Sequence, residues 1–224
     1  MRKLFVLILA IALMLLLVGC SNTTSEKSNE QKENEQEQQT NTSLTETDVD
    51  KQAYEFEQAQ KAYVELNKAA NLCENAMDVI YAAWHFAIYE GDDGDVFDLS
   101  KATGLTYKEI SDVLSSWGYS TADPIDYGSF NNTVNIAKYA LINRGVYSEA
   151  QACVDNAKQH LKEVTNKYAD YTAYPTLKLY YSEVSSYLEF AKSPSGSFSQ
   201  LKTTIDNYET NIRTYKNDLS FTLE

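Results

Sequence analysis

Residues 51–90 read KQAYEFEQAQKAYVELNKAANLCENAMDVIYAAWHFAIYE, and this stretch decides the fold. Ala59, Ala62, Leu66, Ala69, Cys73, Ala76, Ile80, Ala83 and Ala87 are spaced alternately three and four apart, and Tyr63, Ala70, Met77 and Trp84 flank them at sevens. An apolar stripe of that period is the mark of a helix packed against two neighbours, and its small residues permit close approach. No Gly or Pro occurs between residues 20 and 90. One helix is therefore predicted from about residue 47 to 89.

The same rhythm continues downstream. Phe130, Val134, Ala137 and Leu141 form one stripe. Tyr147, Ala150, Val154, Ala157, Leu161, Val164, Tyr168 and Tyr171 form another, out of phase with the first, and Gly145 stands at the slip. Gly145 could end one helix before a Ser148-to-Gln151 capping box, or a single helix could run through with a stutter; the reading leans toward continuity. Pro175 suits a first-turn position. It leads into Leu177, Tyr181, Val184, Leu188 and Ala191, and after a Ser-Pro-Ser-Gly turn come Phe198, Leu201, Ile205, Tyr208, Ile212, Tyr215 and Leu219. The expected class is all-α: an elongated antiparallel bundle of long amphipathic helices.

Composition points the same way. The 224 residues include only 8 Gly and 3 Pro, against average usage of about 7% and 5%, too few turn residues for a sandwich or barrel. Five of the glycines fall in residues 91–128 together with Pro124. That segment should form an irregular cap on the bundle 51–224, with a short helix begun by a Thr106-to-Glu109 capping box and carried by Ile110, Val113, Leu114 and Trp117.

The net charge of −13 divides unevenly. Residues 1–19 carry +2 through Arg2 and Lys3, residues 21–50 carry −6, and residues 51–224 carry −9. An acidic chain lacks the Lys/Arg patches that phosphate contacts require, so no nucleic-acid partner is expected. Residues 21–50 are almost wholly Ser, Thr, Asn, Gln, Glu and Asp, with Leu44 and Val49 as the aliphatics. Such a composition cannot offset its ordering entropy and predicts a disordered tether.

The amino terminus has a separate logic. After Arg2 and Lys3, residues 4–18 are an unbroken apolar run ending in Leu17, Val18, Gly19 and Cys20. Fifteen helical residues reach about 22 Å, short of the roughly 30 Å hydrocarbon core, and read as a signal-peptide h-region. The Leu-Val-Gly-Cys ending resembles the lipobox of bacterial prelipoproteins. That resemblance covers residues 1–20 and implies that 1–19 is removed and Cys20 is lipidated. It places the chain at the extracytoplasmic face of the cell membrane, lipid-anchored.

Candidate chemistry is sparse. Residues 99–114 look like a helix-turn-helix of DNA-binding repressors with Gly104 at the turn, but residues 98–118 carry a net −1, opposite to a recognition face. Asp92, Asp93, Asp95 and Asp98 suggest a calcium loop, yet counting from Asp93 puts Asp98 and Gly104 where the EF-hand needs Gly and Glu. No other metal site and no cofactor is expected. Ser199-x-x-Lys202 lacks the companion motifs of penicillin-binding proteins, and His160-x-x-Glu163 lacks the further carboxylates of a ferritin-like centre. No catalysis is expected. Cys73 and Cys153 could bridge two neighbouring helices in an exported, disulfide-permissive setting, or be two buried thiols.

Aromatics remain. Phe97, Tyr107, Trp117, Tyr119, Tyr127 and Phe130 share the cap with Asp123 and Asp126, and this mixture suits contact with a protein, peptide or cell-wall component. The expectation is a non-catalytic binding module. The alternatives are an extracytoplasmic sensing, immunity or exclusion protein, or a cell-wall-active enzyme.

Overall fold

The computed structural model describes residues 46–123, 125–164 and 173–223. The signal sequence, Leu17, Val18, Gly19 and Cys20, the first part of the expected tether, Pro124, Tyr168 and Tyr171 lie outside them. Among the described residues there are seven helices and no strand. They are α1 (Glu46–Tyr89), α2 (Val96–Thr103), α3 (Tyr107–Ser116), α4 (Phe130–Asn143), α5 (Val146–Glu163), α6 (Ala173–Lys192) and α7 (Phe198–Leu223). The protein is an all-α bundle, as the periodicity predicts.

Helix α1 is the axis on which the rest is built. It packs against α2, α4, α5, α6 and α7. All thirteen residues of its predicted stripe and flanks are buried, and Phe86 joins them. Alanine at 59, 62, 69, 70, 76, 83 and 87 keeps that surface thin, so neighbouring helices approach closely while Leu66, Met77 and Ile80 interdigitate with them. Each fully buried large aliphatic contributes about 1.5–3 kcal/mol. The described helix spans Glu46–Tyr89, as predicted from about 47 to 89, so residues 46–50, which composition alone assigned to the tether, are helical.

Side-chain contacts set the register. On α5, His160 meets Gln58 at 2.7 Å and Cys153 lies beside Glu65. Rising numbers on α1 therefore face falling numbers on α5. The same reversal relates α6 and α7: Asn211 Nδ2 donates to Glu183 at 2.8 Å, Tyr187 stacks on Tyr208 with centroids 4.8 Å apart, and Tyr180 lies 6.2 Å from Tyr215.

Two expectations about the helices need correction. The chain does not run continuously through Gly145. Gly145 adopts φ 80°, a left-handed conformation that ends helical propagation, and it separates α4 from α5. The predicted Ser148 cap does not form either, because Ser148 Oγ donates to the Gly145 carbonyl at 2.8 Å. Breaking the helix lets two out-of-phase stripes each face the core. On α6 the buried tyrosine is Tyr180, with Tyr187 one heptad on, whereas Tyr181 is only half-buried. The other four members of the predicted stripe, Leu177, Val184, Leu188 and Ala191, are buried as expected, so only Tyr181 is misassigned, its place in the core being taken by the adjacent Tyr180.

Cys73 and Cys153 are free and buried, so the disulfide is not formed. The register explains why. Cys153 lies beside Glu65, eight residues from Cys73, which is about 12 Å along α1. Cα atoms more than about 7 Å apart cannot be bridged without backbone movement. Burial pushes the Cys73 thiol up to about 12, so it remains protonated.

Candidate recognition surface on the cap

The cap comprises α2, α3 and the segments joining α1 to α4. Its two ends meet backbone to backbone. A Cβ added to Gly91 would lie 2.3 Å from the Tyr127 carbonyl oxygen and 2.6 Å from the Gly128 nitrogen. Only glycine allows that approach. Thr133 Oγ1, from the first turn of α4, then accepts the chain by donating to the same Tyr127 carbonyl.

Both short helices are capped by their own side chains. Asp95 Oδ1 accepts from the Phe97 and Asp98 amides at 2.7 and 3.0 Å, and Asp98 Oδ2 accepts from the Asp95 amide at 3.2 Å. The geometry lends no support to the calcium reading of Asp92, Asp93, Asp95 and Asp98. Two of the four carboxylates are committed to backbone N–H groups, and among the described residues no three His, Cys, Asp or Glu converge as metal ligands. Thr106 and Glu109 form the predicted box at the start of α3.

Glu109 has a second role. Its carboxylate accepts both Arg144 Nε at 2.7 Å and Arg144 Nη2 at 2.8 Å, a bidentate pair that ties α3 to the α4–α5 break. The guanidinium, together with the Thr106 amide and hydroxyl, holds this carboxyl down to about 2. The pair 99–103 and 107–114 that resembles a helix-turn-helix is thus two capped helices around Gly104, whose φ of 70° makes the turn. They are fixed to the bundle end by burial of Leu99, Leu105, Ile110, Val113 and Leu114.

The predicted aromatic surface is partly assembled. Phe97 is 67% exposed, Tyr107 50% and Tyr119 49%. Trp117 is half-buried and meets Tyr139 of α4 edge-on at 5.6 Å, while the Tyr107 hydroxyl donates to Thr121 Oγ1 at 2.7 Å. Gly118, at φ 84°, reverses the chain after Trp117, and the Tyr119 amide returns to the Leu114 carbonyl at 3.0 Å. Trp117 and Tyr119 therefore share a cleft of about 200 Å³ with Leu114, Ile125, Asp126 and Asn132. Phe97 lies on α2 and is not among those residues.

Tyr127 does not belong to the surface. It is 4% exposed, packed in the core, and burial pushes its hydroxyl up to about 12. Its backbone closes the cap against Gly91, so its ring points inward. Phe130 is turned toward Trp84, with ring centroids 4.2 Å apart. Tyr139 is the residue that sequence reading missed. It stands on the exposed face of α4, outside the cap segment, and only the packing of α3 on α4 brings it to Trp117.

The remaining motifs are engaged elsewhere. Lys202 pairs with Asp206 at 2.8 Å and Ser199 Oγ contacts Ser197 Oγ at 3.2 Å, so the Ser-x-x-Lys spacing does not make a nucleophile and base pair. His160 is occupied by Gln58. Comparison with protein-family models, with characterised proteins and with solved structures finds no match to this chain.

Proposed function

We propose that this chain is a bacterial surface lipoprotein, lipid-anchored through Cys20 at the extracytoplasmic face of the cell membrane. Its helical bundle acts there as a non-catalytic binding module for a protein, peptide or cell-wall component. The anchoring rests on the register of charge, apolar run, small residue and cysteine at residues 2–20. It is compatible with the finding that no described helix is long and apolar enough to cross a membrane. The binding role rests on one observation above all: the cap holds Trp117 and Tyr119 around an open cleft rimmed by Asp126.

Two measurements test the two halves. A palmitate analogue fed to cells should label the wild-type chain and not the Cys20→Ala variant; equal labelling removes the anchor. A photo-crosslinker at position 119 should capture one recurring partner on live cells, and the same group at exposed Leu179 on α6 should not. Equal capture at both positions, or at neither, refutes the cap as the contact surface. A partner that is a signalling receptor or a toxin would move the assignment to a sensing or immunity protein, and turnover of wall fragments would move it to an enzyme.

A further inference from the structure

The last turns of α1 carry a ladder of rings that no sequence motif marks. Tyr81, His85 and Tyr89 are spaced four apart and so lie on one face, about 6 Å apart along the helix. Phe198, the first residue of α7, lies across them: its ring stacks on Tyr81 at 4.9 Å, stands 6.0 Å from His85 and meets Tyr89 edge-on at 6.3 Å. His85 and Tyr89 are themselves 4.6 Å apart. Beneath them Trp84 anchors the group in the core, 6.4 Å from Phe198. The ladder remains open, with His85 exposed and Tyr89 64% exposed.

Beside it runs a cleft of about 430 Å³, within the roughly 300–1,000 Å³ of small-molecule sites. Tyr81 and His85 line one side, Asp98 and Lys101 of α2 the other, and Glu90 lies at the end of α1. Ala82 and Ala102 also line it, and their side chains stop at Cβ, which leaves the space free.

The charges select the occupant. Glu90 and Asp98 disfavour an anion, and Lys101 offsets one of their two charges, so the rim is mixed in sign and complements no strongly charged ligand on every side. The cleft is too open to desolvate a lipid chain. What it offers is the Tyr81 and His85 rings flanked by a charged donor, the Glu90 carboxylate, the one Asp98 oxygen that the α2 cap leaves free, and an imidazole 3.9 Å from Glu90 that can serve as donor or acceptor. A neutral sugar ring has the matching chemistry: an apolar C–H face to lie on an aromatic ring, and hydroxyls that both donate to carboxylates and accept from an ammonium.

We infer that the cleft between α1 and α2, lined on the α1 side by Tyr81 and His85 of the ring ladder, binds a neutral oligosaccharide. This goes beyond the reading of the cap as a partner's landing surface, and it uses none of the residues of the Trp117 and Tyr119 cleft.

The test is a titration of the full chain, held in a detergent without a sugar headgroup, with triacetylchitotriose. Saturation-transfer NMR reports which sugar protons touch the protein, and spermidine and citrate serve as cationic and anionic probes. Saturable binding of the trisaccharide is expected, with transfer to its ring C–H protons. His85→Ala and Lys101→Ala should each weaken it about tenfold or more, while Tyr119→Ala leaves it unchanged. Glu90→Gln, on an exposed side chain, gives a further rim variant if replacement of a ring disturbs folding. Absence of trisaccharide binding up to about 10 mM overturns the inference, as does preferential binding of spermidine or citrate, or equal binding by wild type and the rim variants. Loss of the crosslinked partner at position 119 with saccharide binding intact would refute the cap reading alone.

Discussion

Gly91→Ala tests the closure of the cap. The new Cβ would meet three backbone atoms, the Tyr127 oxygen at 2.3 Å, the Gly128 nitrogen at 2.6 Å and the Tyr127 carbon at 2.6 Å. None of these can swing aside as a side-chain end would. The end of α1 and the start of α4 must separate by close to an ångström, which disturbs the Thr133 hydrogen bond to the Tyr127 carbonyl and the burial of the Tyr127 ring. Overpacking of this kind costs about 1–3 kcal/mol. For a domain of this size, about 2 kcal/mol lowers Tm by roughly 4–8 °C. Gly104→Ala provides the comparison. Nothing lies within 4 Å of its added Cβ, and the cost of about 1–2 kcal/mol arises only from its φ of 70°. Urea unfolding followed by tryptophan fluorescence measures both, since Trp117 sits on the cap. The crosslink from position 119 should weaken in Gly91→Ala and persist in Gly104→Ala. A Gly91→Ala protein with wild-type stability would refute the tight backbone contact and the argument built on it.

Two further outcomes follow from charge and burial. Glu109 is held at about 2, below its ordinary 4.5, so the stability it contributes is present above about pH 4.5 and is lost as pH falls toward 2. The full shift would correspond to roughly 3 kcal/mol, but the Glu109 and Arg144 side chains are 26% and 42% exposed, and screening reduces it to about 1 kcal/mol. Glu109→Gln keeps the capping geometry and removes the charge; its deficit in urea unfolding at pH 7 should shrink at pH 2–3, and a pH-independent deficit contradicts the ion-pair assignment. In the core, Tyr180 donates to Asn67 Oδ1 at 2.7 Å, whereas the Tyr187 hydroxyl is buried with no partner among the described residues. Tyr180→Phe should therefore cost about 1 kcal/mol and Tyr187→Phe should be neutral or stabilising, as measured by Cm; the reverse order would show that the Tyr187 hydroxyl is satisfied by an internal water.

How far the sequence could be read depended on how local each cause was. The stripe from Ala59 to Ala87 was legible because 3.6-residue periodicity is a property of one helix, and every member of it is buried. The Thr106-to-Glu109 capping box was legible because both partners lie within one turn. Gly145 was ambiguous, since left-handed backbone at one residue depends on how the two flanking stripes find the core. Tyr127 was misplaced among the surface aromatics because its burial follows from contact with Gly91, far along the chain.

The sequence alone determined the all-α class, the long axial helix, the interruption after residue 90 and the apolar faces, because each follows from residue spacing and backbone preference within a few turns. Tertiary structure alone decided that Cys73 and Cys153 sit at different heights, that Glu109 pairs with Arg144, and that Phe198 completes a ring ladder begun at Tyr81. These depend on register between helices distant in the chain, and register is set by packing summed over whole faces.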